Sequence, residues 1–557
     1  MSIRLLLPQE GLSVSGRVVP HAPIEDGAVA AEPPLPEVGR LLAENRRRLE
    51  RAPPLAGQSW TDLQREARRS AVEAAREFFR RRGEPVPEGF GEGLILAGHQ
   101  PELFHPGVWV KNFALHGLAR RHGRTPINLV VDNDSVKTTA LRVPTPAAVR
   151  SENPHAVLIP FDHGSGEAPW EERPIADRAL FDGFGEATAA VVRQWGFEPL
   201  LTDFWPLVRQ EAERTLLLGE CFAAARRELE RRWGCHNLEL PVSVLCGTAP
   251  FAWFAAHLLA ELPRFHAVYN DAVREYRRRH GIRSRNHPVP DLAAEGDWLE
   301  APFWGWRAGP LTLPSLPADG GEGRVRRGRL FARTRPDWIE LRIGEEMWPA
   351  LPAPVVAWSP DHATTAAWAE RERQGLKVRS RALTNTLYAR LFLGDLFIHG
   401  IGGGKYDELT DELIQRFYGR EPPAFLILSA TRLLPLQAPP VGPDDRRRLA
   451  HERRDLHWNP QRHLPPGNGE IKEWTARKQA LIAATPQDAA GRRERFLALR
   501  AATAELRAPL MKEEQRLRTE LTEVDRRLAT AAVMRRRDYA FCLYPEALLR
   551  PFCKQFL

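Results

Sequence analysis

Two short apolar runs on either side of a helical stretch constrain this chain most. GLILAGHQPELF carries Leu94 to Ala97 into a turn that begins at Gly98 and contains Pro101. VWVKNFALHGLARRHG, after Pro106 and Gly107, has helical periodicity and stops at Gly123. TPINLVVDNDS is a second apolar run, Ile127 to Val131, and ends in Asp132, Asn133 and Asp134. Short uninterrupted apolar runs bounded by turn residues read as buried strands. Strand, polar loop, helix, strand and acidic loop make a βαβ unit, whose right-handed crossover sets the second strand beside the first. Both polar loops then leave one sheet edge, at the carboxyl ends of the strands, where open α/β sheets bind ligands.

The remaining chain extends this pattern. WTDLQREARRSAVEAAREFFRRR is an amphipathic helix from Trp60, with Leu63, Ala67, Ala71, Ala74 and Phe78 on one side, ended by Gly83 and Pro85. LELPVSVLCG reads as another apolar strand with an exit loop at Gly247–Pro250, and residues 283–350, rich in Pro, Gly and Trp, as an insertion with its own small sheet. From Ser380 to Leu434 the α/β pattern returns: TNTLYARLFLGDLFIHG, a glycine loop IGGGKYDE, the helix ELTDELIQRFYG and the strand FLILSAT. Pro435 and QAPPVGPDD mark a domain boundary. Beyond it, Leu499, Ala502, Leu506, Leu510, Leu517, Leu521, Val524 and Leu528 recur near coiled-coil spacing, with a kink expected at Pro509 and DDRRRLAHERRDLHWN as a candidate antiparallel partner. The fold expected is therefore α/β: a Rossmann-like parallel-sheet core with inserted subdomains over 1–435, a helical coiled-coil or hairpin domain over 436–540, and a tail over 541–557.

At 557 residues the chain exceeds one ordinary core, which agrees with two domains. Its surplus of +8 favours an anionic ligand, but no RNP, zinc-finger or basic-arm motif accompanies it, so nucleic acid is not an expected partner. Five scattered cysteines without a C-x-x-C pair make no disulfide framework or zinc signature, and no metal is expected. No stretch approaches a membrane span, which leaves a cytoplasmic location as the simplest expectation.

The candidate site is the pair of loops after the βαβ strands. His99 and His105 flank a strand-to-helix turn where imidazoles and a helix N-terminus can hold phosphate by charge and backbone N–H donors, with Gly98 and Gln100 beside them; the same residues also suit an ordinary Gly/Pro turn. Asp132, Asn133 and Asp134 can bind a sugar hydroxyl, a magnesium ion or an amine, or close a plain Asx turn. Gly402, Gly403 and Gly404 before Lys405 look like a phosphate cradle but lack the Walker spacing, and equally suit a tight turn. Cys246 reads as a buried thiol rather than a nucleophile, and His163, His257, His362 and His399 read as structural.

GHQPELFHPG, the following helix and the strand ending in D-x-D resemble the opening motif of the BshC family of bacillithiol biosynthesis, GQQ-x-x-LFTGP and a strand ending in EDHD. RALTNTL, IGGG and FLILSAT are similar to that family's RPLVQD-x-LLP, YVGGP-x-E and RLSAT stretches. Lys111 meets the family's helix lysine across a two-residue gap. His99 replaces the family's Gln, Asp132-Asn133-Asp134 replaces EDHD, and Lys405 follows glycines where the family has Pro-x-Glu. The resemblance implies a ligase that joins cysteine, or a similar amino acid, to the amine of an amino-sugar malate. In that reading His99 and His105 stabilise anionic oxygens, Asp132 and Asp134 orient the amine, and the glycines close on phosphate, with ATP or ADP as candidate cofactor. The alternative is a non-catalytic nucleotide- or sugar-binding protein with a helical assembly arm. The apolar stripe of the helical region implies a homodimer formed through it.

Overall fold

The computed structural model describes residues 20–145, 156–164, 168–308, 327–353, 363–465 and 469–557; His362 lies outside them. The central sheet has strands β1 (Val29–Glu32), β2 (Gly93–His99), β3 (Arg124–Val130), β4 (Leu238–Pro241), β5 (Leu396–His399) and β6 (Leu426–Ala430). Their order is β1-β6-β5-β2-β3-β4. Five strands run parallel, and β1 pairs antiparallel with β6 at one edge. Leu94, Ile95, Leu96, Ile127 and Leu129 are wholly buried. That burial explains why β2 and β3 read as apolar runs rather than alternating ones. The fold is mixed α/β around a largely parallel sheet.

Helix α1 (Trp60–Arg81) begins at Ser59, whose hydroxyl accepts the Asp62 N–H, and buries Leu63, Ala67, Ala71, Ala75 and Phe79. Helix α2 (Pro106–Arg121) joins β2 to β3 and is buried on nearly every side. Its outer cover is the C-terminal segment. Phe541 lies 4.4 Å from Trp109 and 5.2 Å from Phe204 between ring centres, and the Phe541 N–H donates to the Phe104 carbonyl. Residues 541–557, expected as a tail, are thus part of the core. A Cβ on Gly117 would meet the Phe556 carbonyl oxygen at 1.8 Å, and one on Gly107 the Ala430 oxygen at 2.1 Å, so both approaches require glycine.

Behind β2–β4, helix α3 (Leu218–Arg232) carries a buried ionic ladder. Arg226 meets Glu230 at 2.9 Å, Arg227 meets Glu239 of β4 at 2.7 Å, and Glu230 accepts from the Trp109 indole and Asn112 of α2. Removing one member would leave an uncompensated buried charge, so the ladder fixes α2 against the sheet. The expected strand LELPVSVLCG is strand only to Pro241; Val242–Cys246 is a helical turn. The inserted antiparallel sheet joins Glu346–Pro352, Trp338–Ile343, Gly328–Thr334, Trp298–Arg307 and Leu376–Ser380, and so extends beyond the expected limit at residue 350.

The described chain forms two compact units, the second comprising Val143–Val157 and Leu434–Arg536. In the second unit, helix Pro443–Trp458 lies antiparallel to Met511–Met534: Arg446 pairs with Asp525 and Arg516 approaches Glu452. Leu449, Leu456, Leu510, Leu517 and Leu521 form its core. Much of the stripe expected to face a second chain is therefore covered within this one. Pro509 sits in a 3-10 turn, Ala508–Leu510, which separates two helices as its missing N–H requires. Among the described residues, no helix is long and apolar enough to cross a membrane.

Candidate functional site

From β2 the chain moves outward through β3 to β4, and from β5 outward in the other direction to β6. The order therefore reverses between β2 and β5, and the crevice outside their carboxyl ends is the ligand position in such sheets. β2 ends there at His99 and β5 at His399. His399 is engaged inward: its Nε2 lies 2.8 Å from Asp407 Oδ2, and its ring packs against Phe397 and Phe425.

The two loops predicted from the sequence do meet. The Val131 N–H donates to the His99 carbonyl at 3.0 Å, and Gln100 Nε2 donates to Asp134 Oδ2 at 3.0 Å. The inserted sheet adds cations from distant sequence. Arg327 Nη1 donates to Asp134 Oδ1 and to the Asn133 carbonyl, each at 3.0 Å. Arg327 and Arg381 both lie over the Trp304 ring, at 4.7 and 4.1 Å. Asn133 is buried; its amide donates to the Ser380 carbonyl at 2.6 Å, while its Oδ1 has no protein donor.

The electrostatics divide the predicted residues. Burial, reinforced by the positive charge of Lys111, depresses the His99 imidazole to about 3, and burial and Arg537 depress His105 to about 4. Both are neutral at pH 7 among the protein's own groups, because burial penalises the charged imidazole. His99 Nδ1 lies 3.2 Å from the Gln100 carbonyl, which assigns the proton to Nδ1 and leaves Nε2 as an acceptor. His105 is the N-cap of α2: its Nδ1 accepts the Gly107 N–H, which leaves Nε2–H as a donor. Lys111 supplies the buried positive charge. Its Nζ donates to the Gly98 carbonyl at 3.3 Å beneath the loop, and burial lowers it to about 8.

The two carboxylates differ as well. Asp132 accepts from the Ser243 N–H at 2.9 Å and from the Ser243 hydroxyl, and burial with Glu171 nearby pushes it up to about 7. Asp134, although part-buried, is held below its ordinary value by Gln100 and Arg327. One carboxyl is thus poised to exchange a proton near neutrality while its neighbour stays ionised, the environment-driven separation that acid–base sites use.

No protein-family model matches the chain, and no curated protein shows significant similarity to it. The site's chemistry must therefore be read from its geometry.

Gly402–Gly404 are not a loop. They form the first turn of helix α4 (Ile401–Tyr418), with Gly400 as N-cap. A Cβ on Gly404 would meet Ile427 Cδ1 at 2.6 Å and one on Gly403 would meet His399 Nδ1 at 2.9 Å, so these two are glycine for close packing; Gly402 faces open space. Cys246 is fully buried and pushed up to about 12 by burial, the state of an inert core thiol. The sequence marks Trp304 as insertion packing, with stacking on a sugar or base as the other reading, and Arg381 only as the start of RALTNTL; Ser243 and Arg327 were missed. Nothing local marked Ser243 or Arg327 as site residues.

Proposed function

We propose that this chain is a BshC-like carbon–nitrogen ligase with a Rossmann-like core, acting on small molecules at the carboxyl edge between β2 and β5. One observation carries the reading: a carboxyl poised near neutrality, Asp132, stands two residues from an ionised one, Asp134, which Gln100 ties to the His99 loop. Asp132 is suited to take a proton from an attacking amine, and the neutral His99 Nε2 to accept a hydrogen bond from it. Lys111, Arg327 and Arg381 are suited to an anionic acyl donor or its phosphate. ATP or ADP is the expected cofactor, cysteine or a similar amino acid the donor, and an amino-sugar malate the acceptor. Residues 434–536 are proposed as a coiled-coil arm joining two copies.

A second reading, binding without catalysis, is favoured by the engagement of both carboxylates: Asp132 by Ser243, and Asp134 by Gln100 and Arg327. A thermal-shift panel of ATP, ADP, glucosaminyl-malate and malate tests the ligand site that both readings share. Stabilisation by nucleotide and amino sugar in the wild type, lost in Asp134→Ala, supports the site. Equal shifts in the two proteins, or none in either, contradict it.

A further inference from the structure

A second cleft lies at the opposite, amino edge of the sheet. It encloses about 1260 Å³ between helix Val38–Glu50, helix α1 and the starts of β2, β3 and β5, and its lining includes eight arginines and four carboxylates. This volume is ample for a metabolite-sized ligand. Most of the arginines are satisfied by the protein. Arg68 and Arg124 share Asp395 at 2.6 and 2.9 Å, and Arg390 meets Asp407 at 2.7 Å and Asp411 at 2.5 Å.

Arg420 is buried and, among the described residues, makes no ion pair with a carboxylate. It follows Gly419, whose left-handed φ of 62° ends α4, and is only 4% exposed. Its Nε and Nη1 are buried without a protein acceptor, and the guanidinium lies 4.4 Å over the Trp60 ring. Asp395 is already taken by two other arginines. Burial, and after it the charge of Arg390, lowers the Arg420 guanidinium to about 10, so Arg420 remains cationic at neutral pH. One turn along α1 from Trp60, on the same helix face, Gln64 is equally buried. Its amide donates to the Leu391 carbonyl at 2.8 Å, but its Oε1 has no donor. A stacked planar cation with two unused N–H groups and an unused amide oxygen, both lining the same cleft, match an oxyanion that also carries a hydrogen-bond donor.

We propose that this amino-edge cleft is a second ligand site, separate from the carboxyl-edge site, which takes a small metabolite bearing a phosphate or carboxylate group and a hydroxyl or amine, anchored by Arg420 with Gln64 accepting from the donor. Such a site holds an effector, since it lies across the sheet from His99 and Asp134.

The test is calorimetric titration of the full chain with pyrophosphate, glucose 6-phosphate and citrate at about 0.15 M salt, where long-range surface attraction is largely screened. Wild type is expected to bind at least one. Arg420→Gln should weaken that binding roughly tenfold or more, the scale of one lost charge-assisted hydrogen bond. Gln64→Glu, which offers Arg420 an internal carboxylate in place of the ligand's and removes the acceptor for the ligand's donor, should abolish binding. Preference for the two phosphates assigns a phosphate ligand, and preference for citrate a carboxylate. Binding of none of the three, or unchanged binding in Arg420→Gln, overturns the proposal. If Arg420→Gln does not fold, unchanged binding in Gln64→Glu overturns it alone.

Discussion

Replacing Asp132 by Asn should change how stability depends on pH in a definite direction. The carboxyl has an ordinary value of 3.8 and is pushed up to about 7 in the folded chain. Between those values the folded state keeps a proton that the unfolded state releases, so the contribution of Asp132 to stability falls as pH rises from about 4 to 7. Three pKa steps correspond to about 4 kcal/mol at most. Partial exposure screens the charge, so a fall of about 2 kcal/mol is the working figure. Asn cannot titrate, keeps the volume and can still accept the Ser243 N–H. The assay is urea unfolding of wild type and Asp132→Asn from pH 4 to 8, read as the difference between them, in which other titrating groups cancel. The variant should gain relative stability across that range and be the more stable protein at pH 8. A difference that stays flat from pH 5 to 8 refutes the reasoning, because Asp132 would then titrate as an ordinary exposed carboxyl.

Three further outcomes are expected. His105→Ala should cost about 1 kcal/mol by removing the cap of α2, with His105→Asn restoring most of it; equal melting temperatures for the Ala variant and wild type would show the cap to be idle. His99, His105, His116 and His257 are all depressed by burial, to between about 3 and about 4. Their stabilisation is complete above pH 6.5 and is lost as pH falls toward 4, opposite in sign to Asp132, so the melting temperature of His257→Gln should fall less than that of wild type between pH 6.5 and 4.5. If the helical unit pairs two copies, the adjacent exposed pair Phe496 and Leu497 is one apolar contact it offers, beside Trp458, Ile482 and Met511. Sedimentation should then show a wild-type dimer and a monomeric Phe496→Glu, Leu497→Glu variant; a monomeric wild type at micromolar concentration removes the dimer.

The βαβ unit was legible because burial makes β2 and β3 uniformly apolar, and because Gly123 ends the intervening helical pattern. That the two loops meet follows from the β2–β3 pairing, whereas the hydrogen bond from Gln100 to Asp134 depends on side-chain packing. Other features depended on contacts that sequence does not carry. Gly402–Gly404 have poor helix propensity and so read as a loop, yet the absence of Cβ atoms at Gly403 and Gly404 is what lets the helix start close to His399 and Ile427. Val242 and Val244 favour strands, but the chain turns helical after Pro241 and delivers Ser243 to Asp132. Arg327 reaches Asp134 across almost two hundred residues, a distance at which no spacing rule operates. The charge state of His99 was equally hidden, because desolvation is set by packing rather than by neighbours in sequence.

The central claim is the reaction at the carboxyl edge, and it is tested most directly by incubating the purified chain with ATP, cysteine and glucosaminyl-malate and following the cysteinyl product by mass spectrometry. The account predicts product that depends on enzyme and nucleotide, is lost in Asp132→Asn and Asp134→Ala, and persists in Arg420→Gln. Product formed at the wild-type rate by both aspartate variants would contradict it, as would no product from a chain that binds all three substrates.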